Sequence, residues 1–399
     1  MAKIMVIAGG DWQIELVKKA KKMGHFVICS NLYEKSPAFP YADACEVADV
    51  LDKEANLKIA RKYMPDAVIT DQSDIAVPTT AFLNEELGLK GIGSEKASLF
   101  TNKAISRTFC RQNGIPVPDF QLCHTTKDAI AFLEKYGKAL IKPIDSQSSR
   151  GVFIIENREQ LYRRCEETLS YSNSAPQFLI EEILEGDEFT VDGLIVNGRY
   201  FPLCISIKEM YESNPNVSKM QIYTYQHPVY DYDRLRNVNQ ALMEAAGIPF
   251  GLTHSEYKFH KGEYYLIEAA ARGGGSNLSA KIVPFMSEID NYDYYIRSAL
   301  GEEIDISSLI NRSLSKQKCA IMRFFDFGAG KVKQTEGLEF LKNSRNMLDF
   351  QLEVKKGDVL VEPKYGRQRP GHFIIGSCDL KSLQAQAEQI VNMVSVTFE

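Results

Sequence analysis

The start of the chain constrains its fold more than any other stretch. Residues 3–8 form an apolar run with the length of a buried strand. Gly9-Gly10 breaks it, and Trp12, Leu16, Val17 and Ala20 then recur at helical spacing. Gly24 ends that helix, and residues 25–29 read as a second strand. A further helix over residues 54–63 leads into the apolar run 67–70. Strands separated by amphipathic helices pair in parallel, because each helix carries the chain back across one face of the sheet. The pattern predicts an open α/β domain over residues 1–95. Gly9-Gly10 lacks the full G-x-G-x-x-G spacing and reads as a tight strand-to-helix turn. The G-x-x-x-x-G-K-[ST] loop is also missing: before Lys331, Phe325 replaces the first glycine, and Val332 replaces the hydroxyl. That segment reads as a hairpin turn.

Residues 96–125 read as helix, loop and strand, with Ile115-Pro116-Val117-Pro118 as a rigid joint. Residues 311–399 alternate again, with strands at 319–325, 359–361 and 372–375 and a closing helix over 380–394, which predicts a compact α+β lobe. Candidate chemistry concentrates between them, in residues 126–310. Composition narrows the functions. Lys and Arg number 47 against 52 Asp and Glu, interspersed, with net charge -5, so no basic stripe supports nucleic-acid binding. No apolar run nears the roughly 20 residues of a membrane span. The apolar N-terminal stretch is too short for a signal peptide and ends in Gly9-Gly10-Asp11. Eight cysteines without a C-x-x-C pair indicate neither a zinc module nor a disulfide framework, and free thiols fit a reducing cytoplasm.

Residues 139–143 form a strand that carries Lys142 near its end. The loop that follows holds Ser146, Ser148, Ser149 and Gly151 before a new strand at 152–155. Hydroxyls and free N–H groups suit an anion, and the lysine adds a point charge for phosphate. Alone, such a loop is an ordinary surface hairpin. Lys103, at the start of a helix in Thr101-Asn102-Lys103, is alone an ordinary solvated lysine. Next comes an acidic stretch, residues 178–192, which places Glu181, Glu182, Glu185, Asp187 and Glu188 between the end of one apolar strand and the start of another. Free backbone groups at a strand end can pair with an adenine edge, and a nearby carboxylate can take ribose hydroxyls. Glu185 and Asp187 read as a solvated turn.

A second hairpin pairs residues 254–259 with 264–268. Its register decides the chemistry. A three-residue loop, Lys261-Gly262-Glu263, sets Glu256 opposite Glu268 on one face, whereas a two-residue loop puts them on opposite faces. Opposed side chains lie about 5 Å apart. Two like charges at about 4 Å repel by about 4 kcal/mol at an effective dielectric of 20. A fold keeps such a pair only with a shared proton or a cation between them. Carboxylates together with phosphate oxygens suit Mg²⁺. Beyond Glu268 runs Ala269-Ala270-Ala271-Arg272-Gly273-Gly274-Gly275-Ser276-Asn277. The glycines let backbone approach a ligand, Ser276 is expected to cap a helix over 277–285, and Arg272 offers a fork for carboxylate or phosphate.

The ordered set Lys103, Lys142 with its Ser/Gly loop, Glu181-Glu182-Ile183-Leu184, Glu188, Glu256, Glu268 and Arg272 resembles the ATP-grasp superfamily over nearly the whole chain. The resemblance implies an ATP-grasp fold in three parts: a Rossmann-like pre-ATP-grasp domain (1–95), a nucleotide-binding and catalytic region (96–310) and a C-terminal α+β lobe (311–399). It implies that Lys103 and Lys142 contact ATP phosphates, with Ser148, Ser149 and Gly151 in the loop over them. Glu181 would stand at the adenine edge, with Glu182, Ile183 and Leu184 beside it, and Glu188 at the ribose. Glu256 and Glu268 would hold Mg²⁺, or Mn²⁺ in its place. Arg272, Gly274 and Gly275 would serve the acyl group, and His227, in Tyr225-Gln226-His227-Pro228, is a further candidate there. Many members read Glu-x-Asn-x-Arg at the last metal site. Here Ala270 takes the Asn position, and Asn277 is the candidate substitute. Glu-x-Ala-x-Arg, Gly251-Leu252-Thr253-His254-Ser255-Glu256 and Arg369-Pro370-Gly371-His372 look similar to the L-amino-acid ligase branch. The expected activity is therefore ATP-dependent carboxylate–amine ligation through an acyl phosphate, on small-molecule carboxylate and amine substrates, with a homodimer as in many relatives. A glycinamide-ribonucleotide-synthetase-like or carboxyphosphate-forming enzyme is one alternative. A non-catalytic ATP-binding protein, suggested by Ala270, is the other.

Overall fold

The computed structural model describes all 399 residues except 147–149, 173–175, 312–316 and 364, and the side chains of residues 216 and 367. The N-terminal strands are β1 (Lys3–Ile7), β2 (Phe26–Asn31), β3 (Ala44–Val47) and β4 (Ala67–Ile69). They pair in parallel in the order β3-β2-β1-β4, as the strand–helix alternation predicts. Four consecutive buried residues in β1 reflect helices covering both faces.

A small antiparallel sheet follows, made of β5 (Phe120–Cys123), β6 (Ala139–Pro143), β7 (Phe153–Ile155) and β8 (Phe178–Glu181), in the order β5-β8-β6-β7. It has its own core of Phe132, Leu133, Ile141, Leu161 and Phe178. The next strands are β9 (Glu188–Val196), β10 (Arg199–Tyr211), β11 (Asn214–Thr224), β12 (Gly251–His260), β13 (Glu263–Ala270) and β14 (Cys319–Phe324). The remaining strands are β15 (Gly330–Glu336), β16 (Met347–Leu352), β17 (Val359–Leu360), β18 (Gly371–Ser377) and β19 (Ser395–Phe398). One eight-stranded sheet runs β13-β12-β9-β10-β11-β14-β18-β16, so strands from both sides of residue 311 share it. The largest core joins Ile4, Val6 and Leu16 of the N-terminal sheet to Leu194, Phe201, Tyr292 and Ile296. The N-terminal sheet and the large sheet are therefore packed together.

The segment around Gly328 and Gly330 corrects an expectation. It is not a hairpin turn. β14 stays in the large sheet while β15 pairs with β17 and β19, so the chain crosses between sheets there. Among the described residues, no helix is long and apolar enough to cross a membrane.

Candidate active site

The carboxylate hairpin reaches the expected pairing by a different route. Its turn has two residues, not three: His260 pairs with Glu263, and Lys261 and Gly262 both have positive φ (47° and 84°). A two-residue turn alone would separate the acids. A bulge restores them, because the register steps between Tyr257, opposite Leu266, and Glu256, opposite Glu268, which leaves Ile267 as the extra residue. The Ile267 carbonyl accepts a hydrogen bond from Arg107 Nη2 at 2.8 Å, which anchors the bulge.

Each acid meets a lysine. Lys103 Nζ lies 2.8 Å from Glu268 Oε1 and donates to Ser146 O. Lys208 Nζ bridges Glu188 Oε1 (2.6 Å) and Glu256 Oε2 (2.8 Å). Burial pulls the Lys208 pKa down, but the two glutamates outweigh it and hold the ammonium charged. Burial likewise works against the Glu256 carboxylate, yet Lys208 and His254 keep it well below the usual range. His254 reaches Asp192 Oδ1 through Nδ1 (2.8 Å) and Glu256 Oε1 through Nε2 (3.4 Å). Burial opposes its proton, but the two acids raise it to about 9.

The opposite wall is the end of the small sheet. Glu181 is buried and engaged at both oxygens: Lys142 Nζ lies 2.6 Å from Oε2, and Arg107 Nε 2.8 Å from Oε1. Burial, aided by Arg107, lowers Lys142 to about 8 against the pull of Glu181. Glu182 Oε1 accepts from the Asp119 N–H, and residues 182–184 line the cavity between β8 and β9. Gly151 has φ of 72°, and its carbonyl takes the Thr168 hydroxyl. Ser148 and Ser149 lie outside the described residues. Lys103 gains its place from Asn102, whose side chain caps the helix Lys103–Gln112 by accepting from the N–H groups of Ala104 and Ile105.

The N-terminal domain builds the glycine loop. Arg272 forms a bidentate pair with Asp74 (2.8 and 2.7 Å). Asp71 is fully buried and accepts from the Gly273 N–H (2.7 Å), the Ser279 hydroxyl (2.6 Å) and the Tyr292 hydroxyl (2.6 Å). Burial raises its pKa, and those bonds oppose the rise. A Cβ on Gly273 would lie 2.3 Å from Ser279 Cβ, so backbone alone fits. Gly274 packs over Asp192 and His254, while Gly275 faces the cavity beside Trp12.

Three expectations are corrected here. Ser276 does not cap a regular helix. Ser276 and Asn277 both have positive φ, the following turn Leu278–Ile282 is a wide π-type turn, and Gln72 Oε1 takes the Asn277 N–H. Asn277, the candidate substitute for the ligand missing at Ala270, is not among the residues lining the cavity, and its amide nitrogen donates to Asp349 (2.8 Å). His227 does not line the cavity either. Its ring packs at a tilt against Tyr230 and Tyr232, and Nδ1 accepts from the N–H groups of Val229 and Tyr230.

Between these walls lies a cavity of about 530 Å³, bounded also by Gly10, Trp12 and Asn31 at the strand ends of the N-terminal sheet. Arg107, Lys208, His254, Asp192, Asp71 and Asp74 were not foreseen. Lys208 carried a readable signal, a lysine at a strand position flanked by alternating apolar residues in Ile205-Ser206-Ile207-Lys208. His254 carried another, two residues before Glu256 and therefore on its face.

Known proteins resemble this chain in two segments and in overall fold. An ATP-grasp domain model matches residues 138–280, and an L-amino acid ligase C-terminal domain 2 model matches residues 323–399. The L-arginine-specific L-amino acid ligase of Bacillus subtilis is 26% identical over 67% of this chain and 68% of its own. The formate-dependent phosphoribosylglycinamide formyltransferase of Wolinella succinogenes is 24% identical over 77% of this chain and 78% of its own. The crystal structure of an L-amino acid ligase from Bacillus licheniformis superposes with a TM-score of 0.84 at 22% identity, over 100% of this chain and 99% of that one. The chain carries an ATP-grasp domain over residues 138–280 and is a ligase of that kind. Its C-terminal segment is of the L-amino acid ligase type.

Proposed function

We propose that the protein joins a small-molecule carboxylate to an amine through an acyl phosphate. The observation that carries this reading is Glu256 and Glu268 opposed on one face, flanked by Lys103, Lys142 and Lys208 and facing the backbone of residues 182–184. Among the described residues, no group of three His, Cys, Asp or Glu side chains is arranged for a metal. The donor set nevertheless fits Mg²⁺, or Mn²⁺: two hard carboxylate oxygens from the chain, with phosphate oxygens from the nucleotide to complete it. Held there, the ion would neutralise phosphate charge.

The chain's own residues do the rest by placement and charge. Lys142 and Lys103 offset the negative charge of the ATP phosphates, residues 182–184 offer backbone groups to the base, and Glu188 offers an acceptor to the ribose. The substrate carboxylate oxygen attacks the γ-phosphorus and ADP leaves. The amine then attacks the acyl carbon, phosphate leaves, and the amine gives up a proton as the amide forms. Arg272, set by Asp74, and the N–H groups of the glycine loop face the acyl group and its developing negative charge.

Amino acids are the substrate class we favour, given the domain type at the C terminus. The homodimer expected from relatives stays part of the proposal, as does the cytoplasm, which the eight free cysteines support. The test is incubation with ATP, Mg²⁺ and pairs of amino acids, followed by mass spectrometry. One ADP and one phosphate per dipeptide are expected. Turnover only with bicarbonate or phosphoribosylamine would overturn the amino-acid reading in favour of the ribonucleotide-type alternative.

A further inference from the structure

Arg369 differs from the other cations placed around the cavity. Lys103, Lys142, Lys208 and Arg272 each have a carboxylate oxygen within 2.6–2.8 Å. Arg369 lines the same cavity, but its hydrogen bonds among the described residues go to carbonyls: Nε to Gly366 O (2.8 Å) and Nη1 to Ser218 O (2.9 Å). Its guanidinium carbon stands 3.3 Å from the centre of the Phe324 ring. Two carbonyls and a ring fix the fork without neutralising it, and Nη2 donates to none of the described residues. Burial pulls its pKa down only to about 10, so it stays charged at neutral pH. Next to it, His372 Nε2 is buried without a partner, and burial together with Arg369 lowers that imidazole to about 4. His372 therefore adds no compensating charge.

A desolvated cation without an anion is costly, and a fixed fork fits a carboxylate at two oxygens. Ser218 and Phe324 belong to β11 and β14, three and four strands from β12, and the side chain feels the charge of Glu256. The fork thus shares one cavity with the opposed acids and with residues 182–184.

We propose that Arg369 is an oxyanion subsite for the second substrate. It takes an acidic group of the amine-bearing partner, in the first instance a carboxylate, so the amine is an amino acid and not a neutral amine. This rests on the ligase reading. The test therefore has one arm that depends on turnover and one that does not.

In the turnover arm, the amine-side amino acid is compared with its carboxamide and with O-phosphoethanolamine. The amino acid is expected to be preferred. Arg369→Gln should raise its KM about 10- to 100-fold, leave the KM for ATP within about twofold and erase the preference over the amide. Arg369→Lys should recover part of the loss. If O-phosphoethanolamine is the better substrate and loses that advantage in Arg369→Gln, the oxyanion is a phosphate. Equal use of acid and amide by the unaltered protein overturns the proposal. In the second arm, the nucleotide site is filled with a non-hydrolysable ATP analogue and Mg²⁺, and inorganic phosphate is added. A rise in melting temperature that is lost in Arg369→Gln and partly kept in Arg369→Lys supports the subsite. No rise in the unaltered protein contradicts it. Silence with every amino-acid pair defeats the ligase reading, while the phosphate shift still decides the subsite.

Discussion

The two functional walls of the cavity are built on different scales. The carboxylate wall is local: Glu256 and Glu268 stand on adjacent strands of one hairpin, and one turn and one bulge set their opposition. The glycine loop is held from far along the chain. Asp71, Gln72 and Asp74, about 200 residues earlier, supply carboxylate and amide partners to Arg272, Gly273, Ser279 and Asn277. A hairpin can preserve its chemistry through its own register. The loop keeps its shape only while the N-terminal domain is docked.

Breaking the local wall should have the largest effect. Glu268→Gln keeps the side-chain shape but removes the charge, and turnover should fall on the order of 10³-fold, with the fold intact by circular dichroism. Breaking the long-range wall should cost less. Asp71→Asn replaces one of its acceptor oxygens with a donor, against the three donors now bonded to that carboxylate. Turnover should fall about 10- to 100-fold, with destabilisation of about 1–3 kcal/mol in urea unfolding. The emission of the single tryptophan, Trp12, should shift as well, because Gln72 Nε2 donates to its carbonyl and Gly275 faces its ring.

What could be read from the sequence follows the same division. The alternation of apolar runs with helical spacing in residues 3–70 was enough to place the parallel sheet, because such strands are buried on both faces. Lys103, Lys142, Glu181, Glu188, Glu256, Glu268 and Arg272 converge on one cavity, all but the mid-strand Glu256 near an element end whose turn residues are visible. Arg107, Asp71 and Asp74 were not legible. An arginine inside a helix and acids after a short strand look solvated until the fold supplies partners 74 to 221 residues away. The bulge at Ile267 was hidden for the same reason, since its anchor, Arg107, comes 160 residues earlier. His227 illustrates the converse: a histidine open in the sequence to either an acyl-site or a structural role packs against neighbouring aromatic rings outside the cavity.

Smaller effects sharpen the contrast. Lys142 is charged below about pH 8 and loses its proton above it, because burial disfavours the ammonium. The KM for ATP should therefore rise severalfold between pH 7.5 and pH 9, a dependence that Lys142→Met should flatten at a uniformly weaker affinity. His227→Ala should change kcat and KM by less than about twofold, since the ring only fills a turn outside the cavity.

The central claim is that the opposed acids of β12 and β13 hold a divalent ion against the nucleotide. Calorimetric titration of a non-hydrolysable ATP analogue, with and without Mg²⁺, measures this directly when the unaltered protein is compared with a Glu256→Gln, Glu268→Gln double variant. The account predicts that Mg²⁺ tightens nucleotide binding at least tenfold in the unaltered protein and not in the double variant. Equal tightening in both proteins would contradict it.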